Sequence, residues 1–223
     1  MDEQQGNSDH LSSSLTDLMT SLMVIFILLL LVFVSHTASK DAALTDVLLA
    51  KLRQDLQPQG FTENTIRPDP RDRNAILVIV PGKLMNFQIQ KADLKDDGKE
   101  FLKAYIPNFA HILCSKDYRA SIESIVVEGH TDRTSWAGRT PEESENANLK
   151  LSQDRSMAVV EESLADLGGD GGEQDRSCFL EKLSATGRGE QEPEKTDDES
   201  RRVIFRIRVK ARDEETVSRR LPQ

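Results

Sequence analysis

The chain reads as an α+β protein: a single N-terminal transmembrane helix followed by a β-α-β-α-β-β sandwich with helices on one face of a small mixed sheet. Three observations predict this. One apolar run of membrane length lies near the start, four short β-branched segments follow it, and segments with helical apolar spacing alternate with those strands.

The apolar run spans Leu15 to Val34, twenty residues with one charge, Asp17, and is unbroken from Leu22 onward. At ~1.5 Å rise per residue it covers a hydrocarbon core of about 30 Å. We assign residues 15–35 to the span and 1–14 to a short cytoplasmic tail. A carboxylate in such a helix costs roughly 2.5–3.5 kcal/mol at the bilayer centre and less near an end, so an intramembrane acid points to a use for the charge. At about 100° per residue, His10, Ser13, Ser14, Thr20 and Ser21 fall within about 60° of Asp17. A polar stripe of this kind faces protein or water rather than lipid, which makes Thr20 and Ser21 channel-lining candidates beside Asp17. The alternative is a headgroup-level helix charge favoured by the macrodipole. A cleaved signal peptide fits poorly: no Lys or Arg precedes the run, Asp2, Glu3 and Asp9 do, and Ser35-His-Thr-Ala38 is a poor cleavage site. Counting basic residues (Lys40, Lys51 and Arg53, all after the span) would put the C-terminal part in the cytoplasm.

Composition removes several function classes. With a formal charge of −9 and 30% charged residues, the chain lacks the basic face that a nucleic-acid partner requires. There is no C-x-x-C and no His/Cys cluster, so neither a structural metal nor a cofactor is expected. Nothing in the spacing sets a nucleophile next to a base, so the chain does not read as an enzyme. Cys114 and Cys178 can pair in an oxidising compartment, but spacing alone does not fix their separation.

Residues 36–73 read as a helical linker. Leu44, Val47, Leu48, Leu52 and Leu56 carry a helical period before Pro58, Gly60, Pro68 and Pro70 break the chain. The folded domain is then expected at 74–210, with a charged tail at 211–223. Asn74 to Val80 is a β-branched strand stopped by Pro81-Gly82. Lys99 to Leu113 is a helix that Pro107 kinks or splits. Ser121 to Glu128 is a second strand. Ser152 is positioned to cap a helix running to Leu167, which Gly168 and Gly169 end. Leu183 to Thr186 and Arg202 to Val209 complete the strands.

Two stretches carry a family resemblance. Thr16-Asp-Leu-Met-Thr-Ser-Leu-Met23 resembles the membrane helix of ion-driven stator B subunits of the flagellar-motor type, in which the residue matching Asp17 carries the ion. Residues 74–210 resemble the OmpA-like peptidoglycan-binding domain. The marks are Phe87, Ala92, Leu94, Gly98 and Leu102; Gly129-His-Thr-Asp132; Asn148-Leu-Lys-Leu-Ser-Gln-Asp-Arg155, which fits N-x-x-L-S-x-x-R; Gly187-Arg-Gly-Glu190; Pro193; and Arg201-Arg-Val203. Within the stator family, the helix text and the short tail without basic residues look most like the B subunit of the Zorya anti-phage system.

The resemblance implies a ligand: the peptide stem of peptidoglycan, whose diamino acid offers an ammonium and a carboxylate. An acceptor-only anion beside a planar fork of donors suits that pair. By resemblance Asp132 receives the ammonium and Arg155 clamps the carboxylate, while Thr131 and Asn148 add neutral hydrogen bonds and Arg202 a supporting charge. It also implies a homodimer inside a ring of A-type stator subunits, a link to cytoplasmic effectors, an inner-membrane location and a periplasmic C-terminal domain. That last implication overrules the basic-residue count. Ser200 stands where the family has Asn, and the 133–147 loop with Trp136 is longer than usual. A flagellar-type stator subunit and a simple wall tether without ion flow are the rival functions. Residues 44–56 fit either a channel plug or pairing with a second copy, and the choice between proton and sodium stays open.

Overall fold

A computed structural model describes residues 3–85, 87, 90–169 and 172–210; the expected tail at 211–223 lies outside them. The chain divides into two compact units, one ending at Ala43 and one beginning at Leu44. The helices are α1 (Glu3–Leu56), α2 (Gly82–Met85), α3 (Asp96–Cys114), α4 (Pro141–Asp166), α5 (Glu173–Lys182) and α6 (Asp197–Ser200). The strands are β1 (Ile66–Asp69), β2 (Asp72–Pro81), β3 (Ile122–Gly129), β4 (Leu183–Gly187) and β5 (Arg202–Val209).

In the first unit, Thr16–Val34 is long and apolar enough to cross a membrane, with mean hydropathy 2.7 and none of it buried. Thr20 donates its hydroxyl to the main-chain oxygens of Thr16 and Asp17, at 3.0 and 2.9 Å. The side chains of His10, Ser13 and Ser14 lie outside the described part of the polar stripe.

The second unit is a five-stranded sheet in the order β1-β2-β5-β3-β4, antiparallel except for the β3–β4 pair. Alternation along β5 sorts its side chains. Val203, Phe205, Ile207 and Val209 join the hydrophobic core, while Arg202, Arg206 and Arg208 fall on the alternate positions. On the core side, Tyr105 and Phe109 of α3 stack at 4.9 Å and meet Phe205 edge-on at 5.6 and 5.3 Å. A disulfide joins Cys114 at the end of α3 to Cys178 of α5, with Cα atoms 6.0 Å apart, inside bridging range.

Several expectations need correction. The stretch expected as linker is divided, because Leu48, Leu52, Leu56 and Phe61 are buried in the domain core and Ile66–Asp69 forms the edge strand β1. The inward stripe uses Leu49, whereas Val47 faces solvent. Pro107 sits inside an unbroken α3; its residue at i−4, Lys103, is exposed, so the carbonyl left without an N–H partner can be solvated. The helix expected to begin at Ser152 begins at Pro141. Its cap is Thr140, whose hydroxyl accepts from the Glu143 N–H while the Glu143 carboxylate accepts from the Thr140 N–H. Ser152 is instead wholly buried mid-helix, and α5 adds a helix that apolar spacing did not announce.

Register brings four chain ends together. Val203 pairs with Val80 on one side and Gly129 on the other, and Gly129 pairs with Gly187. The segments after β2, β3 and β4 and before β5 therefore meet at one end of the sheet.

Candidate functional site

Backbone hydrogen bonds lock that convergence. Gly82 N–H donates to Arg201 O at 2.8 Å, His130 N–H to Arg202 O at 2.9 Å, Thr131 N–H to Gly189 O at 2.8 Å and Arg188 N–H to Gly129 O at 2.9 Å. Helix α4 lies close behind. A Cβ on Gly129 would meet Ser152 O at 2.1 Å, and one on Gly187 would meet Gln153 N at 2.5 Å. Only glycine permits that approach, and it brings the polar face of α4 to the loops.

Positions 148, 152 and 155 share that face at the i, i+4, i+7 spacing. Each has a distinct task. The Asn148 side-chain amide accepts from Trp136 Nε1–H at 2.8 Å and points its NH2 at Asp132 O and Thr134 O, at 3.5 and 3.4 Å. It thereby holds the loop that presents Asp132. The Ser152 hydroxyl accepts from Gly189 N–H at 2.8 Å and donates to Leu149 O at 2.7 Å. Arg155 is nearly buried, lies over the Phe87 ring at 4.9 Å and donates Nε–H to Lys91 O at 3.1 Å.

The electrostatics centre on Asp132. Burial pushes its carboxyl up, but the Thr134 N–H and the Arg201 guanidinium outweigh burial and hold it below the usual carboxylate range. Arg201 forms an ion pair with Asp132 through one nitrogen and with Asp198 of α6 through the other. Burial lowers the Arg155 guanidinium to about 10; the nearby Asp132 charge opposes that shift and Arg201 adds to it. Arg155 thus stays cationic at neutral pH, coupled to an anion whose counter-ion is a half-exposed arginine.

The structure does not gather all five expected residues equally. Asp132 and Arg155 share one field. Thr131 lies behind them, its hydroxyl buried without a partner. Arg202 turns into the loop instead: its guanidinium donates to Glu192 O at 2.9 Å and approaches Glu194 at 3.6 Å. The adjacent Arg201 is the arginine that reaches the site. Neighbouring residues at a strand start project to opposite sides, so the Arg201-Arg202 pair signals that one must face the site without saying which.

No family model matches the chain. It is 26% identical over 155 residues to the Zorya protein ZorB of Escherichia coli, a match covering 66% of this chain and 65% of that protein. The match therefore spans just under two thirds of its relative's length. Over that stretch the chain is similar to ZorB. In structure it resembles a putative MotB-like protein from Desulfovibrio vulgaris, with a TM-score of 0.54 at 19% identity over 77% of this chain and 98% of that one. The periplasmic domain of Helicobacter pylori MotB aligns with a TM-score of 0.48 at 15% identity, over 71% and 90%.

The two departures from the OmpA-like pattern have structural explanations. Ser200 is buried; its hydroxyl donates to Thr196 O at 2.9 Å and accepts from Glu194 N–H at 3.0 Å, fixing the turn that carries Arg201. The long 133–147 loop is tied down at Trp136, whose main-chain N–H donates to Ser144 Oγ at 3.0 Å and whose ring lies 4.8 Å below the Arg139 guanidinium. Trp136 anchors the loop through Asn148.

Proposed function

We propose that the chain is a peptidoglycan-anchored, proton-conducting stator subunit of an inner-membrane motor complex, working in anti-phage defence of the Zorya type. The observation that carries this reading is the presence on one chain of an uncovered apolar span of membrane length headed by Asp17 and a cleft in which Asp132 and Arg155 share a field.

In this reading the C-terminal domain is periplasmic and the N-terminus cytoplasmic. The Cys114–Cys178 disulfide supports that placement over the basic-residue count, because such bonds persist in oxidising compartments. Two copies stand inside a ring of A-type subunits, whose helices cover the apolar face that is bare here. Asp17 picks up a proton from one side, passes the apolar wall as a neutral acid and releases the proton on the other, with Thr20 and Ser21 on the same stripe. Each proton brings ~2.3 kcal/mol per 100 mV, enough to bias one ring against another. Rotation needs a fixed point, and the wall supplies it. The ammonium of the diamino acid takes the place of the Arg201 guanidinium at Asp132, and Arg155 clamps the adjacent carboxylate. The turning ring signals to cytoplasmic effectors.

Co-sedimentation of the full chain in detergent with purified peptidoglycan sacculi tests the anchor. Wild type is expected in the pellet, and Asp132→Asn and Arg155→Ala each in the supernatant. Retention of both variants in the pellet would refute the site.

A further inference from the structure

The Asp132 carboxylate divides its two oxygens between a main-chain donor and a side-chain one. Oδ1 accepts from the Thr134 N–H at 3.0 Å, and Oδ2 accepts from Arg201 Nη1–H. The same guanidinium reaches through Nη2–H to Asp198 of α6, three residues back along the chain. The two carboxylates differ in setting: the Asp132 side chain is 12% exposed and that of Asp198 is 88% exposed, with Arg201 between them at 42%. Arg201 thus spans the rim of the cleft, with one nitrogen at an inner anion and the other at an outer one. Its backbone is pinned. Arg201 O accepts from Gly82 N–H at 2.8 Å, Arg201 N–H donates to Asp197 O at 3.0 Å, and a Cβ on Gly82 would meet Arg201 O at 2.4 Å. Arg155, the other guanidinium in the field of Asp132, is nearly buried, with the Phe87 ring against its face and Lys91 O on its Nε–H. An incoming ammonium needs the oxygen that Arg201 holds. Of the two guanidinium groups, Arg201 is the one that can release Asp132 and still keep an anion, Asp198.

We propose that Arg201 is a built-in competitor of the ligand: its guanidinium fills the ammonium position at Asp132 in the empty cleft, and a stem ammonium enters by displacing it onto Asp198. The inference rests on the peptide-stem reading above and concerns the regulation of that same site. The exchange is neutral in charge, because one cation replaces another at Asp132 while Arg155 takes the carboxylate of the ligand. It also spares the empty cleft a largely buried carboxylate without a counter-ion, which is strongly destabilising. The consequence is a weaker grip on the wall than Asp132 and Arg155 would have without Arg201, and Asp198 sets how much weaker.

The test is calorimetric titration of the full chain in detergent, at neutral pH, with the soluble stem tripeptide alanyl-γ-glutamyl-diaminopimelate. Arg201→Ala is expected to bind it about ten-fold more tightly than wild type, because one charge-assisted contact no longer has to be broken. Asp198→Asn leaves the competitor in place but removes the anion that receives it. Its binding is expected to be about three-fold weaker, the scale of an exposed ion pair. Combined, the two substitutions give the affinity of Arg201→Ala alone. Asp198 lies at the surface, so its variant reads the displacement even if Arg201→Ala folds poorly. Weaker binding by Arg201→Ala makes Arg201 a ligand clamp, and unchanged binding makes it a bystander; either overturns the displacement alone, as does Asp198→Asn binding as tightly as wild type. Binding by neither wild type nor any variant overturns the stem reading with it.

Discussion

Arg201 is the residue on which the charge balance of the cleft turns. It neutralises a partly buried Asp132 that burial would otherwise push toward protonation. Arg201→Ala is expected to raise the Asp132 pKa, measurable by carboxyl-carbon NMR titration; an unchanged titration would mean the Thr134 N–H carries the anion by itself. A second carboxylate reports stability. Glu192 is held at about 2, first by hydrogen bonds from Arg71 and with further help from Arg188. A lowered folded-state pKa gives stability that is complete above the ordinary value near 4.5 and is lost as pH falls toward 2. Glu192→Gln should therefore cost about 1 kcal/mol at neutral pH after solvent screening, and nothing near pH 2, by urea melts at both pH values. Equal cost at both would exclude the ionic origin. At this scale much was legible: Asp132, Arg155 and Asn148 stand out from their motifs. The choice between Arg201 and Arg202 was not, because it depends on where β5 begins.

At the scale of elements, what was legible follows apolar content. The strands at 74–80, 121–128, 183–186 and 202–209 announce themselves by β-branched runs. β1 does not, since Pro68 reads as a breaker and is tolerated only because the strand is at the sheet edge. The first half of α4 is hidden for another reason. Its buried face is made of small polar residues, Ser144, Asn148 and Ser152, so no apolar period marks it. Those small side chains allow α4 to press on Gly129. Gly129→Ala places a methyl carbon 2.1 Å from Ser152 O, and we expect a loss of more than 2 kcal/mol in chemical denaturation. A loss under 0.5 kcal/mol would show that α4 shifts freely. Reducing the disulfide, which closes a 64-residue separation, should cost about 4 kcal/mol by loop entropy. Thermal melts with and without reductant measure it, and no change in midpoint would show that the α3–α5 packing suffices.

At the scale of the whole molecule, two halves that each have bland explanations become informative together. A membrane helix with one acid near its head could be a simple anchor, and a small α+β domain with an Asp–Arg cleft could be a structural ion pair. Joined on one chain, they support the proposed reading of a fixed point in the wall and an ion carrier in the membrane. The burial of Leu48, Leu52 and Leu56 in the domain core also means that these faces are occupied within their own chain. That counts against both plug and pairing roles for this stretch while it stays packed. The central claim is tested most directly by proton flux into vesicles containing the chain and its A-type partner, wild type against Asp17→Asn. The account predicts an intact complex in both and a proton flux lost in the variant. Equal flux in the two would contradict it, leaving Asp17 as a helix-end charge and the chain as a wall tether with no motor.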